Sequence, residues 1–442
     1  MAIELDMMRR VVEERTGKAS QTRMPTTGGS TNAMLLLSGR SDTAMVPDQR
    51  DARLSRSLSG TNLVRAGDYN QRTVLQAIRL APGTTRVDIA RQTGLTPPAI
   101  ANITGRLTEA GLVRVVGRRQ GGRGQPALQL EVERNGAFGL GLNIDRDHLT
   151  LATLDLAGDV RSRVTRETTF ARPDDVVRFV QEELDGAIAS GGVQRDRIIG
   201  LGIAMPDDLG RIALPHQPSG YEAWTDVDIR ELFAPTLPWP IHCDNDAAAA
   251  ALGEAEYGAA FEAPSFFYIL ISAGLGGGVV IDRKYHRGAT ARSGEIGLMP
   301  DPACGPGRTV QDTVSVSALL ARLEDAGLPD PSLEAVASGS EAVAPIVSRW
   351  IDDSVRALLQ PLTAINCLIN PDAVLIGGRL PMPVIERLSK ALTAALSALP
   401  LPSRAQIMPA VMAQDAPAIG AAILPFLDQL LPSDAILIQA GR

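Results

Sequence analysis

Cysteine is nearly absent from this 442-residue chain. Its three cysteines, Cys243, Cys304 and Cys367, are far apart and odd in number. A disulfide scaffold is thereby excluded, and a reducing, cytosolic setting is the default. Aromatic residues are also scarce at 4%, whereas glycine (42) and proline (30) are plentiful, so any core is built mostly from Ala, Val, Leu and Ile. No stretch approaches the roughly 18 uninterrupted apolar residues of a membrane helix. Charges scattered through residues 1–20 leave no apolar segment for a secretory signal. What remains is an ordinary globular balance, 45% hydrophobic and 21% charged, long enough for about two to four domains.

A net charge of −7 argues against a nucleic-acid partner, but its distribution argues the other way. Between Asn62 and Leu130 ten arginines stand against three acids, a local +7 that leaves −14 for the rest. All ten cations are Arg, whose planar fork suits phosphates and base edges. A basic module on an acidic body is the pattern of a DNA-binding domain joined to a sensor or enzyme, although a solvated basic surface would carry the same charge.

Residues 1–60 are rich in Ser, Thr, Gly and Arg and have no sustained period, so a disordered arm is expected. Met24, Met34 and Met45 are possible alternative starts. Residues 71–80 then place Val74, Leu75 and Ile78 on one helical face. A second helix, 86–93, is capped by Thr84 or Thr85. Gly94 makes a turn, and Thr96 caps a third helix with Pro97 in its first position. Ile100, Ile103 and Leu107 face inward, and Gly111 ends the helix. Strands over 112–116 and 126–132 flank a glycine–arginine loop, completing a winged helix-turn-helix over 61–133. Pro98, Ala99 and Asn102 are expected in the major groove, where Asn pairs bidentately with adenine. Arg118, Arg119 and Arg123 are expected on phosphates or in the minor groove. Arg106 reads equally as a phosphate contact or a solvated residue.

From Gly136 the texture is α/β. Strands are expected at 138–144, 149–155, 198–204, 241–244, 266–272, 279–282, 374–376 and 406–412. Helices are expected at 173–190, 246–257, 310–326, 340–369, 383–396 and 416–431. That order fits two α/β lobes with a cleft between them over 134–442.

Five passages carry a family resemblance: Cys243-Asp244-Asn245-Asp246-Ala247 through Leu252-Gly253-Glu254; Leu270 to Gly278; Ser293-Gly294-Glu295-Ile296-Gly297; Asn370-Pro371-Asp372 with Ile376-Gly377-Gly378; and Ile419-Gly420-Ala421-Ala422. In order and spacing they resemble the ROK family (repressors, open reading frames and sugar kinases), and the front module resembles its repressor branch. The resemblance implies an actin-like (ribonuclease H-like), two-lobed sugar-kinase fold behind the winged head.

It also implies site residues. Asn245 and Asp246 match the pair in which the Asp is general base on a sugar hydroxyl; an N-cap role for Asp246 is the alternative. The helix start is expected to hold Asp246 ionised. Glu295 matches a sugar-holding Glu, with Leu298 where the family has His. The zinc motif registers on Cys304-Gly305, but Pro302, Thr309 and Gln311 replace two cysteines and the terminal Glu. One thiol cannot supply four ligands, so no zinc is expected, and Gln311 is left to hydrogen-bond a hydroxyl. His216 or Gln217 matches a sugar-contacting Asn, and Trp224 either packs on a sugar face or lies in the core. The phosphate hairpin Asp-x-Gly-Gly-Thr is degraded to Asn143-Ile144-Asp145-Arg146-Asp147, whose side chains and charges would repel ATP. The expectation is a cytoplasmic, nucleoid-associated bacterial repressor of carbohydrate uptake or catabolism genes, with operator DNA and a sugar or sugar derivative as partners. It would be a homodimer or homotetramer without membrane contact, cofactor or kinase activity. The rival is an ATP-dependent sugar kinase carrying a DNA-binding domain.

Overall fold

The computed structural model describes residues 63–119, 126–207, 209–211, 220–258, 263–412 and 415–432. The arm expected at 1–60 lies outside them, as do Arg123, His216 and Gln217.

The front module is helical, with a small sheet. Helix α1 (Leu63–Leu80) is followed by β1 (Thr84–Thr85), α2 (Arg86–Thr93) and α3 (Pro97–Glu109). Strands β2 (Val113–Arg119) and β3 (Ala127–Val132) form the wing hairpin, and β1 pairs with β3 to make a sheet of order β1-β3-β2. Thr85 is the cap of α2. Its Oγ1 accepts from the Asp88 amide at 3.3 Å, and an Asp88 carboxylate oxygen accepts from the Thr85 amide at 3.2 Å, a reciprocal capping box. Gly94 takes φ +70 at the turn, a conformation open to glycine without strain. Thr96 precedes α3 with Pro97 at the first position, but its side chain makes no capping bond. Pro97 alone supplies the helix start there. Ile89, Ile100, Ile103 and Leu107 fill the centre.

The body contains two mixed sheets. The first has order β6-β5-β4-β7-β8, from β4 (Phe138–Ile144), β5 (His148–Asp155), β6 (Val160–Glu167), β7 (Ile198–Met205) and β8 (Ile241–Asn245). Helix α4 (Pro173–Ser190) packs its apolar stripe on this sheet, and α5 (Ile229–Phe233) closes one end. Strand β6 was not expected from the sequence. Its alternating, arginine-rich VRSRVTRE belongs to a half-exposed edge strand. Trp224 is buried in this lobe, with Nε1 donating to the Ala171 carbonyl at 2.9 Å, so the core reading holds and the sugar-face reading does not.

Helix α6 (Asp246–Tyr257) then leads to the second sheet, of order β11-β10-β9-β12-β13. Its strands are β9 (Phe266–Ile271), β10 (Leu275–Ile281), β11 (Lys284–Tyr285), β12 (Ala373–Gly378) and β13 (Gln406–Pro409). Helices α7 (Val316–Asp325), α8 (Leu333–Ser338), α9 (Ala344–Leu368) and α10 (Met382–Ser397) cover one face, around the buried Trp350. Helix α11 (Ala416–Gln429) ends the described chain. The expected glycine turn is shorter than its sequence implied. Gly276, Gly277 and Gly278 already pair with Leu270, Ile269 and Tyr268 inside the sheet.

Those glycines are there for close approach. Helices α6 and α11 lie between the two sheets, where glycines meet helix carbonyls and small side chains closely. A Cβ on Gly278 would strike Ala251 and the Ala247 carbonyl; one on Gly141 or Gly202 would strike the Ala418 or Ala421 carbonyl of α11. One on Gly420 would overlap the Ala249 carbonyl of α6. Ala247 to Ala251 are buried and fill this space without large side chains.

No helix of the described residues is long and apolar enough to cross a membrane. The Gly420 contact predicts that Gly420→Ala lowers unfolding free energy by about 3 kcal/mol, the upper end of the usual overpacking cost. Urea denaturation checks this, with the m-value unchanged.

Candidate functional site

The β8–α6 junction brings the central acids and amides together. Asn245, the last residue of β8, is the N-cap of α6, and its Oδ1 accepts from the Ala247 and Ala248 amides at 2.9 and 3.1 Å. The cap role therefore falls to Asn245 rather than Asp246, and its NH2 group is what remains for a ligand. Asp244 is held by a bidentate Arg287, at 2.8 Å for one of the two bonds. Asn245 and Glu295 line one recess together with Asp207, Gly276, Tyr285 and Ser293, so two of the expected sugar residues do converge. The free volume is about 20 Å³, room for one water. A sugar enters only if the walls separate.

Asp246, next in sequence to Asn245, is buried and does not line the recess. Burial and the neighbouring Asp145 charge push its carboxyl up to about 7, against the opposing effects of the Ala247 amide, at 2.7 Å, and Arg146. The expectation that the helix start holds it ionised is corrected: desolvation outweighs one amide dipole. Near neutrality Asp246 can donate or accept toward a hydroxyl.

The β4–β5 hairpin side of the cleft carries several charged side chains. Arg146 and Gln311 both flank Gly274 in the β9–β10 turn. Gln311, expected to meet a sugar, is thus placed on this side and does not line the recess. Arg379 follows Gly378, whose φ of +114 turns the chain out of β12. Its guanidinium donates to Asp147 at 2.7 Å and to Glu167, joining the second lobe to the β4–β5 hairpin and β6 of the first. His148 Nδ1 meets Asp147 at 2.7 Å, and its Nε2 meets the Asn143 amide at 3.2 Å. Burial would raise the Asp147 pKa, but the His148 bond and the Arg379 charge hold it below the ordinary carboxylate value. Burial would lower the His148 pKa, yet the Asp147 bond and the Asp145 and Asp147 charges raise it. Asp145, Asp147 and His148 lie close enough together to be considered as metal ligands. Asp147 is nevertheless committed to Arg379 and His148, and the cluster reads as an ion-pair network. Arg379 was missed from the sequence; its only signal was a cation directly after Gly377-Gly378.

The family zinc segment does not fit zinc. Cys304 is its single thiol, and Sγ is 2.9 Å from Thr313 Oγ1, which donates onward to Asp301 at 3.2 Å. Thr309 caps Asp312. Neither Pro302 nor Thr309 offers the soft ligands that a closed structural site needs.

On the head, Pro98 and Asn102 are exposed on α3 and Ala99 is partly exposed, opposite the buried Ile100, Ile103, Thr104 and Leu107. Arg106 is exposed as well. Arg118 and Arg119 project from β2, and Arg119 is held at 2.9 Å by Asp88, the residue that completes the capping box of α2 with Thr85.

This is the architecture of a winged DNA-binding head on a two-lobed body of sugar-kinase type. Residues 139–426 match the ROK family, and residues 68–114 match the winged helix-turn-helix DNA-binding family. The chain belongs to the ROK family. It is 24% identical to the xylose repressor of Bacillus subtilis over 58% of this chain and 68% of that protein. It is 23% identical to the DNA-binding transcriptional dual regulator NagC of Escherichia coli over 67% of this chain and 77% of that one. A solved ROK family transcriptional regulator, described as a homologue of the E. coli Mlc protein, superposes with a TM-score of 0.62 at 22% identity. The match covers 85% of this chain and all of that one.

The raised Asp246 pKa gives a signed pH effect. The folded form keeps its proton up to about 7, whereas the unfolded carboxyl loses it near 4, so stability falls as pH rises between the two. Asp246→Asn keeps the acceptor for Ala247. It should raise the melting temperature at pH 8, and the gain should vanish by pH 4 in thermal scans.

Proposed function

We propose that this protein is a bacterial repressor of carbohydrate uptake or catabolism genes. Its winged head, 61–133, reads operator DNA, and its body, 134–442, binds a sugar and has lost phosphoryl transfer. The observation that carries the second half is the Arg379 bridge to Asp147 and Glu167, with Arg146 against Gly274. Where a kinase of this fold needs small residues around phosphates, this chain supplies acids and two arginines, one of which, Arg379, is already paired across the lobes. Repressor names among its relatives, and a DNA-binding head with an exposed recognition face, support the first half.

In this reading Asn245 and Glu295 hold hydroxyls, and Asp246 exchanges hydrogen bonds with a third. His216, which lies outside the described residues, is assigned to the same sugar by its match to the family's sugar-contacting Asn, and Gln311 is not part of that contact set. Asn102, with Pro98 and Ala99, enters the major groove, while Arg118, Arg119 and Arg123 hold the backbone or minor groove. A duplex with two related half-sites calls for a symmetric dimer, or a tetramer built from two. The sugar controls DNA binding because the recess must open to admit it, so the liganded and empty bodies differ in shape. The related repressors are named for xylose and for N-acetylglucosamine, which makes both sugars first members of a test panel. Work on the chromosome places the protein in the cytoplasm at the nucleoid.

Two measurements check the proposal. In an ADP-release assay across a sugar panel, no sugar should raise turnover above the blank. Efficient ADP release that is abolished by Asp246→Ala would establish the kinase reading instead. In a salt titration of DNA binding, Arg118→Ala with Arg119→Ala should weaken binding and reduce the log–log slope by about 2, near 1 for each lost phosphate contact. An unchanged slope would remove these residues from the backbone contacts.

A further inference from the structure

Helix α6 begins at the sugar recess and ends on the DNA-binding head. Asn245 and Asp246 stand at its first turn, while Glu256 and Tyr257 stand at its last, about 18 Å away at 1.5 Å per residue. At that far end it meets one arginine of α1. Arg79 Nη2 pairs with the Glu256 carboxylate, Nη1 donates to the Glu256 carbonyl at 3.3 Å, and the guanidinium lies 4.4 Å from the centre of the Tyr257 ring. Gln76, one turn earlier on α1, donates to the same carboxylate at 3.1 Å and accepts from Arg79 Nε at 2.9 Å. The Arg79 side chain is 2% exposed.

A buried ion pair of this kind adds little net stability, because desolvation offsets the attraction. Its best-attested use is to fix one register of packing. The helix carrying it is poorly suited to bending. The Ala247 and Ala251 methyls lie close against Gly276 and Gly278 of β10, and the Ala249 carbonyl against Gly420 of α11, so nothing larger than a methyl stands in the gap to absorb a shift. A displacement of the first turn is therefore passed along the helix instead of being dissipated. The head's other polar anchors, Arg72 on the Asp428 carbonyl and Arg197 on the Ala110 carbonyl, do not involve α6.

We propose that α6 is the rod that couples the sugar recess to the reading head, and that Arg79, Glu256 and Tyr257 are the positioning residues through which the head receives it. This rests on the regulator reading for its biological meaning, but not for its test.

The test is hydrogen–deuterium exchange of the full chain without sugar or DNA, referenced to the amides of β12, which report global opening. Asn245→Ala removes the cap at the recess end. Amides of α1, residues 63–80, should then exchange at least about fivefold faster, the lower end of ordinary coupling factors. Conversely, Arg79→Met should speed exchange at residues 246–250 by a similar factor. Glu256→Gln keeps the shape and serves if Arg79→Met does not fold. Arg197→Ala loosens a head anchor that bypasses the helix, so it should affect the head and leave 246–250 unchanged. Effects confined to the mutated end would overturn the rod, as would Arg197→Ala matching Arg79→Met at 246–250. Such a result would leave the ADP-release and DNA measurements to decide the regulator reading separately.

Discussion

The structure depends on one steric constraint, the backbone-to-backbone contact of α6 and α11 between the two sheets. Gly139, Gly141, Gly200 and Gly202 on one side and Gly276 and Gly278 on the other let the two helices sit close against both sheets, with their carbonyls, methyls, Pro425 and Phe426 filling the space a Cβ would take. This explains a composition that looked odd in the sequence, rich in glycine and alanine and poor in aromatics. It also has a mechanical consequence. Interiors packed this closely do not deform by small continuous steps; they shift between discrete arrangements. A body of this kind suits a two-state regulator whose recess must open to admit its ligand.

On the proposed reading, the hairpin side of the cleft belongs to a catalytic fold retired without being dismantled. The hairpin that would cradle phosphates keeps its place between β4 and β5, but its small residues have become Asp145, Arg146 and Asp147. Charge alone would weaken phosphate binding. The stronger effect is that Asp147 has found a partner in the other lobe. Arg379 neutralises Asp147 and Glu167, and Arg146 lies against Gly274. The lobes are tied by residues where a nucleotide would otherwise tie them. Asn245 and Glu295 meanwhile line one recess.

Much of this was legible in the sequence. The head was readable because helix spacing, Gly94, Gly111 and the wing charges all agree on one motif, and the helix expected at 246–257 has the observed bounds. What was not legible follows from physics that a local reading lacks. The Arg379–Asp147 pair spans 232 positions. Edge strand β6 presents too much polar surface to read as a strand. Asp246 was expected to be ionised because the helix start is visible in the sequence, whereas its burial beside Asp145 is not. Gln311 lies in a short helical turn, where register does not fix which side of the cleft a side chain reaches.

The central claim is that one sugar-facing recess controls one DNA-reading head. Its most direct measurement takes a duplex recovered from the sites this protein occupies in its own cells and titrates it with each sugar that shifts the protein's melting temperature. The account predicts a sugar that lowers DNA affinity, and a duplex that lowers affinity for that sugar by the same factor, as linkage requires. A sugar that binds in the recess and leaves DNA affinity unchanged would contradict it.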